Sequence, residues 1–205
     1  MKFLITAGGT RERIDPVRFI SNASSGKMGY ALAEAAIDAG HEVVLITAAK
    51  ELKAIEGARV VNVESAGEMF EAVKKEFGKC DCLVMAAAVS DYMPCSPAKN
   101  KIKKSEESIV IVLKATEDIL KWAGEHKKKE QLVVGFALED KDVRRRAEGK
   151  LESKKLDMIV ANTPAAIGAE KSCLEIKTIA GQWRTLPRAS KAVNSRKIVK
   201  AIEQL

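Results

Sequence analysis

The chain has 205 residues, and hydrophobic residues make up 46% of it, which is enough for a substantial core in one domain. The aromatic residues are two Trp, two Tyr and five Phe, so this core must be mostly aliphatic. The net charge of +7 suits anionic ligands such as nucleotides. The basic residues are spread along the chain, and the one dense run, at 127–129, follows a predicted helix, so the composition disfavours a nucleic-acid binder.

The cysteines and the amino terminus indicate the cellular location. The four cysteines form no C-x-x-C pair and the two histidines lie far apart in the sequence, which disfavours a zinc site. Met1 is followed by a predicted strand rather than by a secretory signal, and no apolar stretch approaches membrane-spanning length. We therefore predict one cytoplasmic domain over residues 1–205, with no nucleic-acid partner and no membrane partner.

Short apolar runs alternate with helical patterns along the chain. Strands are predicted at 2–6, 41–47, 58–63, 81–87, 131–137 and 157–161. Helices are predicted at 27–39, 65–77, 116–126, 141–154 and 190–204. Several of the strands are apolar without alternation, which is typical of parallel strands covered on both faces. The order predicts an α/β fold: a three-layer, doubly wound, Rossmann-like and mostly parallel sheet.

Two segments depart from this alternation. Residues 108–114 are predicted to form an extra strand that has no obvious crossover partner. Residues 172–179 and 182–186 flank Ala180-Gly181 and predict a carboxyl-terminal hairpin added to the sheet. The extra strand and the hairpin are candidate elements of a homodimer.

A glycine-rich segment precedes the first predicted helix. It reads Ser21-Asn-Ala-Ser-Ser-Gly-Lys-Met-Gly29 and follows a long loop that begins at Gly8 and Gly9. A helix amino terminus offers unpaired N–H groups and a partial positive charge, and glycine lets a phosphate approach the backbone closely. Lys27 adds a full positive charge. The segment therefore predicts an anion-binding site, and a loop of this length in a compact domain is usually functional.

Two common phosphate-binding motifs do not match this segment. A P-loop requires a Ser or Thr where this chain has Met28, and a first glycine where it has Ser21. A dinucleotide site requires G-x-G-x-x-G directly before the helix and an acidic residue at the end of the second strand, but that strand ends in Thr47-Ala-Ala-Lys50. An NADP-dependent reductase on the same fold therefore remains the alternative rather than the preferred function.

Two further segments carry candidate site residues. The fourth predicted strand ends in Ala86-Ala-Ala-Val-Ser-Asp-Tyr92, where the alanines leave room for a flat group and Asp91 is placed to bind a ribose hydroxyl or a metal. A tight helix–strand contact with a turn aspartate explains this segment about equally well when it is taken alone. The polar loop that follows contains Lys101-Ile-Lys-Lys104, which alone also suits a solvated strand edge.

Together, the segments 6–12, 15–22, 24–29, 86–92, 101–104, 134–137 and 157–162 resemble the phosphopantothenoylcysteine synthetases, also called phosphopantothenate–cysteine ligases, of coenzyme A biosynthesis. The block Arg18-Phe-Ile-Ser-Asn-Ala-Ser-Ser-Gly-Lys-Met-Gly29 is the most specific part of the resemblance. It implies that 4′-phosphopantothenate, L-cysteine and a nucleoside triphosphate are the substrates, with an acyl-nucleotide intermediate. It also implies Mg²⁺, CTP (or ATP) as co-substrate, and a homodimer. In many bacteria this domain is fused behind a phosphopantothenoylcysteine decarboxylase, so the chain is either a freestanding synthetase with that decarboxylase as a separate partner or a domain of a longer protein.

The resemblance also implies roles for individual residues. Lys101 matches the lysine needed to form the acyl-nucleotide, and Asn22 matches the asparagine needed to convert it. Arg18 is placed to bind the phosphate or carboxylate of phosphopantothenate. The implied nucleotide-binding residues are Ser24, Ser25, Gly26, Lys27, Met28, Ala87, Ala88, Asp91, Lys101, Asp118, Phe136, Lys150 and Lys154.

The chain departs from the family pattern in one segment that bears on the nucleotide. The family often has Lys-Asn-Pro-Asp-Ile after the extra strand, whereas this chain has Lys114-Ala-Thr-Glu-Asp-Ile119. Asp118 and Ile119 are retained and the Asn-Pro pair is not. This change weakens the preference for CTP over ATP, and it leaves Asn22 and Lys101 untouched.

Overall fold

The computed structural model describes residues 1–106 and 108–205. Its strands are β1 Lys2–Ala7, β2 Arg11–Arg13, β3 Phe19–Ser21, β4 Glu42–Thr47, β5 Ala58–Asn62, β6 Cys82–Met85, β7 Tyr92–Pro94, β8 Leu113–Ala115, β9 Leu132–Leu138, β10 Met158–Asn162, β11 Lys171–Thr178 and β12 Arg184–Ser190. Its helices are α1 Lys27–Asp38, α2 Ala66–Phe77, α3 Ile119–His126, α4 Val143–Ser153 and α5 Lys191–Ile202. A single 3-10 turn occupies Pro164–Ala166.

Eight strands form the central sheet in the order β12-β11-β10-β9-β6-β1-β4-β5. The six strands from β10 to β5 in this order are parallel, and β11 and β12 continue the sheet as an antiparallel hairpin. This topology confirms the predicted Rossmann-like fold and the predicted carboxyl-terminal hairpin. The chain extends the sheet from β1 through β4 to β5 and then returns to the other side of β1 with β6, so the strand order reverses between β1 and β6.

Helices cover both faces of the sheet, as the unbroken apolar strands predicted. In β1, Phe3 and Ile5 pack with α1 and α5, whereas Leu4 packs with α2, α3 and α4 on the opposite face. The starts of three helices follow from their capping residues: Ser65, Asp118 and Ser190 accept hydrogen bonds from first-turn N–H groups of α2, α3 and α5. Among the described residues, no helix combines the length and the apolar character needed to cross a membrane.

The prediction for residues 108–114 was wrong in part. Only Leu113–Ala115 form a strand, β8, and it is not unpartnered: it pairs antiparallel with β7 in a separate two-stranded sheet. At the end of β7, Pro94 has no N–H to donate, and one further bond beyond it joins Cys95 N to Val112 O at 2.9 Å. Residues 109–112 lie outside regular structure, with Val110 86% and Val112 67% exposed.

The long loop before α1 contains a short antiparallel hairpin that the sequence did not predict. Its strands β2 and β3 pair Arg11 with Ser21 and Arg13 with Phe19. At the turn, the buried carboxylate of Asp15 accepts hydrogen bonds from the N–H groups of Val17 and Arg18, each at 2.8 Å. The hairpin thereby fixes the path of the chain between β1 and α1.

We expect Gly124→Ala to destabilise the fold. A Cβ built on Gly124 in α3 would lie 1.8 Å from the backbone oxygen of Lys154, so either α3 or the end of α4 must move. Overpacking of this kind costs about 2 to 3 kcal/mol, which corresponds to a fall of roughly 4–12 °C in the melting temperature of a chain this size. Gly149→Ala in α4 is the matched control, because a Cβ there meets nothing within 4 Å and alanine favours a helix. Equal melting temperatures for the two variants would contradict the close contact between α3 and Lys154.

Candidate functional site

A cavity of about 860 Å³ lies at the carboxyl ends of the parallel strands, beside the reversal of strand order. This is the position where doubly wound sheets bind their ligands. Its described lining comes from the loop before α1, the segments after β6, β9 and β10, the segment before α3, and one side of α4. The predicted site residues that line it are Asn22, Ser24, Ser25, Gly26, Lys27, Met28, Ala87, Ala88, Asp91, Asp118, Phe136, Lys150 and Lys154.

The start of α1 is built to present backbone N–H groups to this cavity. Gly26 adopts a left-handed conformation with φ +73°, which a side chain disfavours, and a Cβ there would lie 2.6 Å from the Cβ of Ala49. Gly29 brings α1 against β1, because a Cβ on it would lie 2.5 Å from the Cβ of Ala7. Within the described chain, α1 has no side-chain cap and no acidic residue in its first turn, so its N–H groups face the cavity with a partial positive charge.

Asn22 ties the loop before α1 to the segment after β6. Its Nδ2 donates to Val89 O at 3.0 Å and, more weakly, to Ala88 O at 3.4 Å. The strand ends beneath are joined in the same way, since Ala88 N donates to Gly8 O at 2.9 Å. The amide of Asn22 is therefore held at the edge of the cavity, directly above the carboxyl ends of β1 and β6.

The opposite end of the cavity is positively charged but partly neutralised. Lys154 Nζ contacts Asp118 Oδ2 at 2.8 Å. Burial raises the pKa of Asp118, but the hydrogen bonds from Lys154 and the Lys121 N–H outweigh it, so this pKa lies below its ordinary value. Burial lowers the pKa of Lys150, and so does neighbouring Lys154, while Glu139, Asp91 and Asp118 act in the other direction. Phe136 from β9 supplies an apolar surface to the same cavity and packs with the cluster on the α1 and α5 face of the sheet.

Two predicted residues lie elsewhere. Within the part of the chain that the structure describes, neither Arg18 nor Lys101 lines the cavity. The guanidinium of Arg18 contacts Asp15 Oδ2 at 3.1 Å and Ile102 O at 3.0 Å, and Ile102 N donates back to Asp15 at 3.2 Å. These contacts hold the backbone next to Lys101 against the β2–β3 hairpin, while the Lys101 side chain is exposed. A single copy of the chain therefore does not bring Lys101 to Asn22 and Lys27.

The cavity also contains residues that the sequence did not identify. They include Tyr92, Thr116, Glu117, Asn162, the segment 166–168 and Lys191. Asn162 ends β10 and Lys191 begins α5, so both are delivered by elements far along the chain. The sequence signal for Lys191 is its position directly after Ser190, a helix-capping residue. This position predicts where the helix begins, but it does not predict that Lys191 lines the cavity.

A second cavity of about 410 Å³ adjoins the first across the loop before α1. Both cavities are lined by residues 22–25, so Asn22 stands between them. In the second cavity Arg11 contacts Glu51 at 2.6 Å and lies over the ring of Phe19, 5.0 Å from its centroid. Two adjoining cavities offer room for two substrates that meet at Asn22.

The acidic residues of the cavity are the candidate metal ligands. Over residues 1–106 and 108–205, no group of three or more His, Cys, Asp and Glu side chains is close enough together to hold a metal ion. Asp91 and Asp118 line the large cavity together with Lys27, Lys150 and Lys154, whose ammonium groups attract anions. Mg²⁺ is usually held by one or two carboxylates together with substrate phosphates, and this donor set fits that arrangement.

The fold and the site together define a doubly wound α/β protein with an anion-binding helix start at the reversal of strand order. The chain belongs to the family of the DNA/pantothenate metabolism flavoprotein C-terminal domain, whose model matches residues 1–205. This membership confirms the resemblance drawn from the motifs.

Individual relatives agree with the family assignment. The coenzyme A biosynthesis bifunctional protein CoaBC of Bacillus subtilis (strain 168) is 45% identical over 207 residues, covering 98% of this chain and 51% of that protein. A protein from an unknown prokaryotic organism, named cysteine/cysteine sulfinic acid decarboxylase, is 48% identical over 169 residues, covering 82% of this chain and 47% of that protein. The chain thus spans about half the length of these curated relatives.

A solved structure confirms the fold. The crystal structure of the C-terminal domain of a coenzyme A biosynthesis bifunctional protein CoaBC matches with a TM-score of 0.85 and 40% identity, covering 99% of this chain and 94% of that one.

Proposed function

We propose that this chain is a phosphopantothenate–cysteine ligase of coenzyme A biosynthesis. The observation that carries the proposal is the convergence of Asn22, Lys27, Asp118 and Lys150 on one cavity at the reversal of strand order. The names of the coenzyme A relatives support the same pathway.

The proposed reaction has two steps. First, a carboxylate oxygen of 4′-phosphopantothenate attacks the α-phosphorus of a nucleoside triphosphate, and pyrophosphate leaves as the P–O bond breaks. Then the amine of L-cysteine attacks the acyl carbon, the nucleoside monophosphate leaves, and the amine loses a proton. The first step brings two anions together, so it depends on cations and N–H donors that offset their repulsion.

The residues of the cavity divide this work. The N–H groups at Lys27 and Met28 hold phosphate oxygens, and Lys150 and Lys154 offset charge of the nucleotide at the other end of the cavity. The base lies against Phe136 and the segment at Ala87 and Ala88. Mg²⁺, when bound, neutralises charge on the triphosphate. Asp91 is placed to ligate that Mg²⁺ or to accept a ribose hydroxyl, and Asp118 positions Lys154.

We propose CTP as the nucleotide, with ATP as the alternative. The motif set of this chain resembles that of the family members that use CTP, and this resemblance is what favours CTP. The segment 115–118 lines the cavity and lacks the Asn-Pro pair that is frequent there, so it is the place where the base preference of this chain is set.

A homodimer completes the proposed site. Lys101 and Arg18 lie outside the cavity of their own chain, and the apolar residues 109–113 nearby are exposed to solvent. An exposed apolar run of this kind is typical of an interface. We propose that a second copy packs on this run and supplies Lys101 to the cavity of the first.

Sedimentation tests the homodimer. The wild-type protein is expected to sediment as a dimer at micromolar concentration, and Val110→Asp with Val112→Asp is expected to give a monomer, because buried charge opposes association. Lys75→Asp with Lys79→Asp, on the exposed surface of α2 and its end, is the control for adding two acidic residues. A wild-type species of 22.3 kDa alone would contradict the proposal.

A pyrophosphate-release assay tests the function. Phosphopantothenate and cysteine are supplied with CTP, ATP, GTP or UTP in parallel, and release is expected only when phosphopantothenate and the preferred nucleotide are both present. Absence of release with all four nucleotides would exclude the ligase. Carbon dioxide release from cysteine alone would instead support the decarboxylase named among the relatives. A rise in melting temperature with NADPH rather than CTP would favour the reductase.

Two further expectations stay predictions. The cytoplasmic location follows from cysteine usage, because the sequence shows no pattern of paired cysteines. The phosphopantothenoylcysteine decarboxylase, as a separate partner or as another domain of the same protein, follows from the family resemblance.

A further inference from the structure

Lys191 enters the large cavity from the carboxyl-terminal helix and has a firmly supported backbone. Ser190 caps α5 by accepting a hydrogen bond from Val193 N, and Ser195 Oγ donates to Lys191 O at 2.7 Å. Ser195 Oγ also lies 3.7 Å from Met28 Sδ, which joins the first turn of α5 to the first turn of α1. Lys191 Nζ donates to Ala169 O.

The distribution of charge differs between the end of the cavity at Lys27 and Lys191 and the end at Lys150 and Lys154. Burial lowers the pKa of Lys191, and the nearby charge of Lys27 lowers it further, against a smaller opposing effect of Glu170. Of the described residues that line the cavity, the acidic ones are Asp91, Glu117 and Asp118, and these belong to the segments near Lys150 and Lys154. Lys27 and Lys191 therefore face the part of the cavity where cationic charge is least compensated.

We infer that Lys191, together with Lys27, binds the β- and γ-phosphates of the nucleotide and stabilises pyrophosphate as it leaves. This inference rests on the proposed function and adds a residue to it. Two ammonium groups side by side beside free N–H groups of α1 match a group with several charged oxygens. At the other end, Lys154 is already paired with Asp118, and Asp91 and Glu117 add further negative charge, which suits the nucleoside half. The hairpin and α5 thus have a role in the site: they carry Lys191 to it.

The variant Lys191→Gln tests the inference. Its KM for the nucleoside triphosphate is expected to rise at least about tenfold, and inhibition by added pyrophosphate to weaken by a similar factor, because one charge-assisted contact is lost. Inhibition by the nucleoside monophosphate, which lacks both outer phosphates, is expected to stay unchanged. Lys191→Arg is expected to restore part of the affinity. Lys200→Gln, at the exposed end of the same helix, is the control and is expected to behave as wild type.

Other results would overturn the inference. A higher KM for phosphopantothenate, with the KM for the nucleotide unchanged, would place the 4′-phosphate at Lys191 instead. Wild-type behaviour of Lys191→Gln would remove the residue from binding altogether. Calorimetry with pyrophosphate and Mg²⁺ needs no turnover, so it tests the role of Lys191 separately from the ligase function. Equal pyrophosphate affinity in wild type and Lys191→Gln would contradict the inference. A wild-type protein that binds pyrophosphate through Lys191 but has no ligase activity would contradict only the proposed function.

Discussion

Replacing Lys101 by Gln is expected to abolish pyrophosphate release from the nucleotide and phosphopantothenate. In the proposed mechanism the ammonium offsets charge on the α-phosphate as the carboxylate attacks, and removing one such group typically lowers a rate by about a hundred- to a thousandfold. The Lys101 side chain is exposed, so the variant is expected to fold normally and to keep its melting temperature. Lys104→Gln, three residues further along the same exposed loop, is the control. Release at a near-normal rate in Lys101→Gln would remove this residue from the activation step.

The position of Lys101 adds a test of the homodimer. If one copy supplies Lys101 to the cavity of the other, a mixture of Lys101→Gln and Asn22→Asp chains contains heterodimers in which one of the two sites is complete. Equal mixing and free exchange are then expected to restore about one quarter of the wild-type amide synthesis, because half the dimers are mixed and each has one intact site. A mixture as inactive as the separate variants would show that Lys101 acts within its own chain.

Replacing Asn22 by Asp is expected to stop the reaction after the first step. The amide of Asn22 lies at the edge of the cavity and its Nδ2 donates to Val89 O and, more weakly, to Ala88 O. In the proposed mechanism, one N–H of Nδ2 leaves its backbone acceptor and holds the acyl carbonyl while cysteine attacks. The aspartate has the same shape but no N–H, so the acyl-nucleotide is expected to accumulate with pyrophosphate and without the amide. Chromatography and mass spectrometry of quenched reactions measure the acyl-nucleotide and the amide.

The Asn22 variant needs a control for the loop. The bond from Nδ2 to Val89 O is lost as well, so nucleotide affinity is measured to show that the loop before α1 keeps its place. Asn62→Asp at the exposed end of β5 makes the same chemical change away from both cavities and is expected to leave both steps intact. Amide formation at the parental rate in Asn22→Asp would show that the proposed role is wrong.

The sheet could be predicted because its strands carry their own signal. Strands such as β4 and β10 are short apolar runs. Because both of their faces are buried, apolar residues do not alternate with polar ones, and this unbroken pattern predicts a parallel strand. The same criterion failed at 108–114, where the apolar run is mostly exposed and only its end pairs with β7. An apolar run in the sequence predicts a segment that is buried. It does not predict whether the surface that buries it belongs to the same chain or to a second copy.

The site could be predicted only where its residues are neighbours in the chain or share a motif. Ser24 to Met28 form one block before α1, and the structure places all of them in the cavity. Lys191 escaped prediction because its proximity to Lys27 depends on α5 packing beside α1, after a hairpin whose direction no local pattern determines. Lys101 was grouped with Asn22 by resemblance, and the geometry of one chain keeps the two apart.

The most direct test of this account is a crystal structure of the protein with phosphopantothenate and a non-hydrolysable analogue of CTP. We predict that the polyphosphate lies against the N–H groups of residues 26–28, with the carboxylate of phosphopantothenate beside Asn22. A polyphosphate bound outside the large cavity, away from residues 22–28, would contradict the account.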